Sequence, residues 1–346
     1  MSQTHHITFE PLDIEMEVSE DEKILDAAFR QGIHLMHGCR EGQCSACKSY
    51  MLEGDVQMER YSTFACNDSE VEEGYVLLCR GHAFSDCTIE LLNYDEEEMK
   101  NAIDLQDVDM EVVAVTPMTS DIVSLKLKAD SFLFHPGQYA DITIPGTDDR
   151  RSFSMATTQS TPGEVEFLIK KYPGGHFSGL LDDGIAVGDT IKVSGPYGRF
   201  TIKEGHILPV VCIAGGAGMA PVLSLLRHLS ETESTRPVRF YYGARTAADM
   251  FYVDEIVRLG AKLADFKFVV GLSSQMPADG EDLGYEPQEG MITDIVEANE
   301  PELRSTELYL CGPPPMVDAA LELADRKMVP EDQVFHDSFT SPLSEE

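Results

Sequence analysis

The sequence has 346 residues, of which 61 are acidic and 26 basic, and its formal net charge is −35. This length predicts two or three domains. Nucleic acid is not expected as a partner, because phosphate binding needs concentrated basic surface. The acidity serves either solubility or attraction to a basic protein surface, and composition alone leaves both interpretations open.

Residues 1–6 lack the basic start and the apolar stretch of a secretory signal. The uncharged run at residues 207–226 is long enough for a membrane span, but its glycines and prolines divide it into strand, turn and helix. We therefore predict a cytoplasmic protein with no membrane partner. In that compartment its eight cysteines would be reduced thiols, available for metal binding or chemistry.

The chain divides into compositional blocks. Residues 1–95 hold six of the eight cysteines, residues 96–109 are acidic and predict a linker, and residues 340–346 predict a frayed tail. In residues 110–205, short alternating strands with regular turns predict a small antiparallel barrel. In residues 206–339, apolar strands alternate with helical stretches and predict a doubly wound parallel α/β sheet.

The cysteine spacing in the first block is the strongest single signal. Cys39, Cys44 and Cys47 form a C-x4-C-x2-C pattern, and Cys79 follows 32 residues after Cys47. This is the spacing of plant-type [2Fe–2S] ligands. A zinc site would usually show a second close doublet, and Cys79 has none. The small, glycine-containing loop predicts backbone N–H groups that point toward the sulfurs.

Residues 1 to about 93 resemble a plant-type ferredoxin domain, including the sequence Leu77-Leu78-Cys79-Arg80. The resemblance implies a ferredoxin-like β-grasp fold. No role is predicted for Cys66, Cys87 or Cys212, because a free cysteine is more often a small buried apolar side chain.

In the middle block, Arg151-Ser152-Phe153-Ser154 resembles the Arg-x-Tyr/Phe-Ser motif of the ferredoxin–NADP reductase superfamily. The resemblance implies a six-stranded flavin-binding barrel. Arg151 would hold a flavin phosphate, Phe153 would pack on the isoalloxazine, and Ser154 would lie near the flavin N5. Taken alone, the four-residue motif is also compatible with an ordinary strand that carries an exposed arginine.

A second flavin signal is the glycine turn formed by Gly174 and Gly175 ahead of Ser178 and an apolar helical start. Such a turn offers free N–H groups and a helix N-terminus to a pyrophosphate, and Ser178 adds a hydroxyl donor. An ordinary helix cap is the alternative interpretation.

In the third block, Gly215, Gly216 and Gly218 lie between a predicted strand and helix, where backbone N–H groups can meet a dinucleotide pyrophosphate. The loop resembles the Gly-Gly-x-Gly-x-x-Pro loop of the same superfamily. Further on, Cys311, Gly312 and Pro313 resemble the superfamily segment that lies beside the nicotinamide, where the cysteine helps to place that ring against the flavin. The same resemblance places Phe339 over the flavin ring.

The choice between NADH and NADPH depends on the end of the second strand of this block. A 2′-phosphate needs a cation there, and Arg245 alone would allow NADPH. The surrounding Gly-Ala-Arg-Thr string resembles NADH-using monooxygenase reductases, and the next cation after Arg245 is Arg258. The sequence therefore favours NADH.

The order of ferredoxin, flavin and nicotinamide blocks is similar to that of the reductases of bacterial multicomponent oxygenases, over residues 1 to about 339. The resemblance is strongest to the reductases of soluble di-iron monooxygenases, the group that includes methane and propane monooxygenases. It implies electron transfer from NADH through FAD and a [2Fe–2S] cluster to a di-iron hydroxylase. A reductase for a Rieske-type dioxygenase and a redox sensor of low turnover are the alternatives.

Overall fold

The computed structural model describes residues 2–278 and 283–339, which form two compact units. The first unit comprises residues 2–105 together with Tyr197–Arg199, and the second comprises the remaining described residues. Within the described residues, no helix has the length and apolar character needed to cross a membrane. The predicted tail, residues 340–346, lies outside the described residues.

The first unit is built on a mixed sheet with a helix across it. The sheet order is β2-β1-β7-β3-β5, β1 and β7 are parallel, and β4 pairs with β6. Helix α1 buries Ile24, Leu25 and Ala28 among sheet residues such as Ile7 and Phe9, which gives the predicted β-grasp arrangement. The elements are β1 Thr4–Glu10, β2 Ile14–Ser19, α1 Ile24–Arg30, β3 Lys48–Glu53, β4 Val56–Met58, α2 Asp68–Glu73, β5 Tyr75–Leu77, β6 Gly81–Ala83, β7 Cys87–Leu91 and α3 Glu96–Asn101.

The acidic stretch at residues 96–109 differs from the predicted linker. It contains α3, which begins after Asp95, and it ends inside the first strand of the barrel, which starts at Gln106. The Asp95 side chain accepts hydrogen bonds from the N–H groups of Glu97 and Glu98, each at 3.0 Å. Acidic residues in a first helical turn also interact favourably with the helix dipole. These carboxylates therefore help to form a helix at the end of the first unit.

The second unit begins with a barrel of six antiparallel strands, as predicted. The order is β11-β10-β13-β8-β9-β12, and a bridge between Met155 and Phe167 brings the two ends of this order together. Apolar side chains such as Val112, Leu125 and Ile142 fill the interior. The elements are β8 Gln106–Pro117, β9 Ile122–Lys128, β10 Tyr139–Thr143, β11 Arg150–Ser154, β12 Glu164–Lys170, α4 Leu180–Asp183 and β13 Thr190–Tyr197.

The rest of the second unit is a parallel sheet in the order β17-β16-β15-β14-β18-β19. Helices α5 and α6 cover one face and α7 and α8 the other, so the central strands are buried on both sides. The predicted doubly wound sheet is confirmed. The elements are β14 Val210–Gly215, α5 Met219–Glu231, β15 Val238–Ala244, α6 Val253–Gly260, β16 Phe266–Leu272, β17 Pro287–Glu289, α7 Ile292–Asn299, β18 Glu307–Gly312, α8 Pro314–Arg326 and β19 Val334–Ser338.

The strand order reverses direction between β14 and β18. In open α/β sheets, ligands bind at such a switch point, outside the carboxyl ends of the strands. The predicted glycine loop (residues 215–218) follows β14, and Pro313 directly follows β18. The topology therefore places both predicted nicotinamide segments side by side at this edge.

Candidate functional site

The first unit brings four cysteine sulfurs together in two pairs. Cys39 and Cys44 share a hydrogen bond within one loop, while Cys47 shares one with Cys79, which follows β5. The charge of Cys44 also acts on Cys47, so the two pairs are neighbours. Among the described residues, no three His, Cys, Asp or Glu side chains are arranged to hold one metal ion. The two adjacent pairs of sulfurs are the same four cysteines whose spacing predicts a [2Fe–2S] cluster.

Backbone N–H groups point at the sulfurs of this loop, as the sequence predicts. Cys39 N–H donates to Cys44 Sγ at 3.3 Å, and the N–H groups of Glu41 and Gln43 donate to Cys39 Sγ at 3.4 and 3.3 Å. A Cβ atom at Gly38 would lie 3.0 Å from Cys44 Sγ, so a side chain there would crowd the sulfur. Donors and a small cradle of this kind fit a cluster whose sulfurs carry negative charge.

The protonation of the first pair is asymmetric. The hydrogen bond with Cys44 is the main cause that lowers the pKa of the Cys39 thiol to about 6. The same shared hydrogen bond, together with burial, raises the pKa of Cys44 well above its ordinary value. The loop thus favours one thiolate before any metal binds, and thiolates are the form that binds metal.

The second unit presents the predicted flavin residues on β11. Phe153 lies with its ring centroid 5.2 Å from that of Phe177, and Ser152 donates to Asp141 at 2.7 Å. The Arg151 guanidinium donates to the carbonyl of Arg150 at 2.7 Å, and among the described residues it forms no ion pair with a carboxylate. Guanidinium groups are well suited to binding phosphate.

The turn that contains Gly174 and Gly175 differs from the prediction. The helix it opens, α4, has only four residues, and its N-cap, Gly179, has no capping side chain. The Ser178 hydroxyl exchanges hydrogen bonds with the backbone of Tyr172 at 3.2 and 3.3 Å. A Cβ at Gly175 would lie 2.3 Å from that hydroxyl. Ser178 therefore holds the turn closed, and the short helix supplies little dipole to a phosphate.

The glycine loop packs directly on the end of β18. A Cβ at Gly218 would lie 2.2 Å from the carbonyl oxygen of Cys311, and one at Gly312 would lie 2.9 Å from the carbonyl oxygen of Gly215. Gly216 has φ of 57°, in the left-handed region, where glycine pays no Cβ penalty. The predicted pyrophosphate loop and the predicted nicotinamide segment thus lie in direct contact, and a side chain at Gly218 or Gly312 would force them apart.

Ser154 and Cys311 both lie next to Asp337, a residue that the sequence analysis does not identify. The Ser154 hydroxyl donates to Asp337 Oδ2 at 3.0 Å, and Asp337 is the register partner of Cys311 on the parallel pair β18–β19. Cys311 is fully buried, and burial raises the pKa of its thiol well above the ordinary value. Asp337 stands between His336 and Ser338 in β19, so the local sequence offers no contrast in polarity that would single it out.

Phe339 and Arg245 lie at the same edge of the sheet. The N–H of Phe339 donates to the carbonyl of Gly312 at 3.2 Å, which ties the predicted aromatic to the last residue of β18. Arg245 follows β15 and pairs with Asp249 at 3.3 Å and with Asp121 at 3.8 Å. A 2′-phosphate beside Arg245 would therefore meet two carboxylates as well as the cation.

We expect Asp337→Asn to stabilise the protein at neutral pH. Burial raises the pKa of Asp337, so the folded state holds this proton more tightly than the unfolded state, and wild-type stability falls as pH rises through the folded pKa. Asparagine does not titrate, so the advantage of the variant should shrink toward pH 4. Each kcal/mol added to the free energy of unfolding should raise Tm at pH 7 by about 2–4 °C.

Thermal unfolding from pH 4 to pH 8 measures this difference. Asp332→Asn, which changes an exposed carboxylate near β19, is the control and should leave Tm unchanged. A stability advantage of Asp337→Asn that grows as pH falls contradicts the prediction.

Comparisons with known families assign all three blocks. The first matches a 2Fe-2S iron-sulfur cluster binding domain over residues 7–83. The second matches an oxidoreductase FAD-binding domain over residues 109–202, and the third an oxidoreductase NAD-binding domain over residues 212–322. The cofactors are therefore a [2Fe–2S] cluster and FAD, with NADH as the reductant.

Comparisons with whole proteins give the same architecture. The chain is 67% identical to the reductase component of propane 2-monooxygenase from Mycolicibacterium smegmatis, with 99% of each chain covered. It is 31% identical to the electron transfer component of toluate 1,2-dioxygenase from Pseudomonas putida, covering 94% of this chain and 95% of the relative. A crystal structure of a cytochrome P450 reductase from Amycolatopsis superposes with a TM-score of 0.86 at 26% identity, covering 98% of this chain and 100% of the other.

Proposed function

Because the chain belongs to the family of propane 2-monooxygenase reductase components, we propose that it delivers electrons to the di-iron hydroxylase of an alkane monooxygenase of the propane type. It is an NADH-dependent oxidoreductase with FAD and a [2Fe–2S] cluster. The observation that carries the proposal is the full-length identity to a monooxygenase reductase, which is more than twice that to the dioxygenase component.

For the cluster, the paired sulfurs support a ligand assignment. Cys39 and Cys44 would bind one iron, and Cys47 and Cys79 would bind the other. The N–H groups of Glu41 and Gln43 that point at Cys39 Sγ would stabilise negative charge on the sulfur and so raise the reduction potential. When bound, the cluster would supply one-electron transfer and FAD would supply two-electron acceptance of a hydride.

For the flavin, the residues on β11 have separate tasks. Arg151 would bind a phosphate of FAD, and Phe153 would pack on the ring system with Phe177 behind it. The Ser154 hydroxyl has a single proton, which it donates to Asp337 in this structure, and it would turn that proton toward N5 when the flavin is bound. The turn at Gly174 and Gly175 would lie beside a phosphate of FAD. The Gly175 N–H already donates to the Tyr172 carbonyl at 3.0 Å, and Ser178 keeps the turn closed through Tyr172.

For NADH, the loop after β14 and the segment after β18 act together. The backbone N–H groups of Gly215, Gly216 and Gly218 would bind the pyrophosphate. Cys311, Gly312 and Pro313 would line the nicotinamide side, with Phe339 held beside them by its bond to Gly312. Asp249 and Asp121 partly neutralise Arg245, which favours NADH because a 2′-phosphate would be repelled by the two carboxylates.

The partner is tested by reconstitution with two kinds of oxygenase. Purified protein with both cofactors is mixed with NADH and either a di-iron propane monooxygenase hydroxylase with its accessory components or a Rieske-type dioxygenase. The proposal expects product only with the di-iron enzyme. Product with the Rieske enzyme alone would replace the proposed partner. NADH consumption that stays negligible with every acceptor would support a redox sensor.

We expect electron delivery to the hydroxylase to be strongly sensitive to salt. Residues 1–100 hold 22 acidic and 7 basic residues, so the ferredoxin block should dock on a basic surface. The Debye length falls from about 30 Å at about 0.01 M salt to about 3 Å at about 1 M, which removes long-range attraction. Turnover with the hydroxylase should fall over this range, whereas turnover with a neutral quinone should not. Equal slowing of both reactions would argue against electrostatic docking.

A further inference from the structure

Helix α5 starts at the glycine loop and carries three polar side chains on one face. Ser224, Arg227 and Glu231 are three and four residues apart, which places them along one side of the helix. Ser224 is fully buried, and the Arg227 side chain is 16% exposed. We call these three residues the α5 polar ladder.

Each member of the α5 polar ladder bonds to one of three consecutive residues of the barrel. The Ser224 hydroxyl donates to the carbonyl of Thr157 at 2.5 Å. The Arg227 Nη1 donates to the carbonyl of Ala156 at 2.7 Å. The carboxylate of Glu231 accepts a hydrogen bond from the Thr158 hydroxyl at 2.8 Å.

These three partners begin two residues after Ser154. The same chain segment therefore carries the proposed flavin serine at one end and the helix contacts at the other. The second contact of Ser224 is the N–H of Gly137, which donates to its hydroxyl at 3.1 Å. One serine on α5 thus bonds to two separate loops of the barrel.

Arg227 is the central member of the ladder, and carboxylates on both sides neutralise it. Glu166 of β12 lies 3.3 Å from it, and Glu255 of α6 lies 2.7 Å away. Glu166 is almost fully buried and also accepts hydrogen bonds from Ser124 and Tyr252. A buried charge that is paired on several sides holds a specific geometry, because moving one partner leaves another unpaired.

The outer part of the ladder, Arg227 and Glu231, is less closely packed than the fully buried Ser224. A cleft of about 320 Å³ opens beside it, lined by residues that include Lys126, Thr158 and Leu259. Apolar side chains of α5 and of the barrel, among them Leu225 and Leu168, share one buried core, and the hydrogen bonds of the ladder add direction to that contact. A hydrogen bond also constrains angle, which dispersion contacts do much more weakly.

We infer that the α5 polar ladder is a positioning device for hydride transfer, which sets the strand end that carries Ser154 relative to the glycine loop at the start of α5. The observed hydrogen bonds of its residues all go to other protein groups, so they act through Ser154 and through the helix itself. The inference rests on the proposed roles of Ser154 and the glycine loop. A misplacement of about 1 Å between reacting groups costs on the order of 100-fold in rate, so a small shift of the ladder should be visible.

The test compares Arg227→Lys with Arg239→Lys in the protein that carries both cofactors. Lysine keeps the charge but cannot reproduce the forked geometry of the guanidinium. Arg239 is a matched control, because it forms a paired interaction with Asp265 at 2.8 Å elsewhere in the same unit. Reduction of the flavin is followed in the absence of oxygen over a range of NADH concentrations, with NADH and with NADH deuterated at C4.

We expect Arg227→Lys to lower the limiting rate of flavin reduction by about 10- to 100-fold. The apparent Kd for NADH should stay within about twofold, and the deuterium isotope effect should stay the same or increase, because hydride transfer limits the rate more strongly. Arg239→Lys should match the wild type in all three quantities. If Arg227→Lys does not retain FAD, Ser224→Ala is measured by the same criteria, with a smaller loss expected.

Three results would overturn the inference. The first is an unchanged limiting rate in the ladder variant. The second is a higher Kd for NADH with an unchanged limiting rate, and the third is an equal loss of the limiting rate in Arg239→Lys. A wild-type protein whose flavin NADH does not reduce would instead count against the proposed function, so the two failures are distinguishable.

Discussion

Replacing Gly218 with alanine should lower reduction of the flavin by NADH by at least about 100-fold. The added Cβ would lie 2.2 Å from the carbonyl oxygen of Cys311, 2.5 Å from its carbonyl carbon and 2.8 Å from the Cα of Gly312. All three atoms belong to the backbone, so no rotamer change relieves the collision. The glycine loop and the end of β18 must separate, and these are the two segments proposed to hold NADH. Rapid-mixing measurements of flavin reduction quantify the loss.

Gly205→Ala is the control for the effect of removing a glycine without a steric collision. Gly205 has φ of 76°, and a Cβ there would meet nothing within 4 Å. Alanine at this position therefore costs only the left-handed strain of about 1–2 kcal/mol and should leave flavin reduction unchanged. The visible bands of the cluster should persist in both variants. A Gly218→Ala protein that reduces its flavin at the wild-type rate would show that the two segments do not need to touch.

The fold was predictable where the signal is local. The barrel and the doubly wound sheet follow from alternation and from apolar strand runs, whose periods reflect the local geometry of each element. The cysteine grouping was also indicated by spacing, since three ligands on one short loop must lie near one another. The return of Cys79 to that loop depends on the pairing of β3 with β5, which no local pattern displays.

Asp337 was missed because its contacts arise from tertiary register. It lies 26 residues after Cys311 in the sequence, and it becomes its neighbour only through the parallel pairing of β18 and β19. Because the chain has 61 acidic residues, the charge of Asp337 does not distinguish it from the others.

The acidic stretch was misjudged for a different reason. A run of carboxylates predicts a linker, whereas in the structure Asp95 occupies an N-cap position and Glu96 pairs with Lys100 at 3.0 Å across one turn of α3. Both signals are present in the sequence, but charge density outweighed them. Ser178 is similar, because a hydroxyl beside a glycine turn satisfies the backbone of that turn as readily as it binds a ligand.

Cys79→Ala should eliminate the cluster and, with it, electron delivery to the hydroxylase. Removal of Cys79 leaves Cys47 without its neighbouring sulfur, so the proposed second iron would retain only one protein ligand. Iron content and the visible cluster bands should fall to near background, and hydroxylase turnover should fall with them. Oxidation of NADH with ferricyanide should continue at close to the wild-type rate, because the residues proposed to bind FAD and NADH lie in the second unit.

Cys66→Ala is the matched control, since Cys66 and Cys79 are both buried in the same core of the first unit. Each change removes one buried sulfur and leaves a similar cavity, so a general loss of stability would affect both variants equally. Only Cys79 faces another cysteine of the proposed ligand set. Loss of iron in Cys66→Ala to the same extent would mean that core packing, rather than ligation by Cys79, retains the cluster. Retained iron in Cys79→Ala would contradict the assignment of all four ligands.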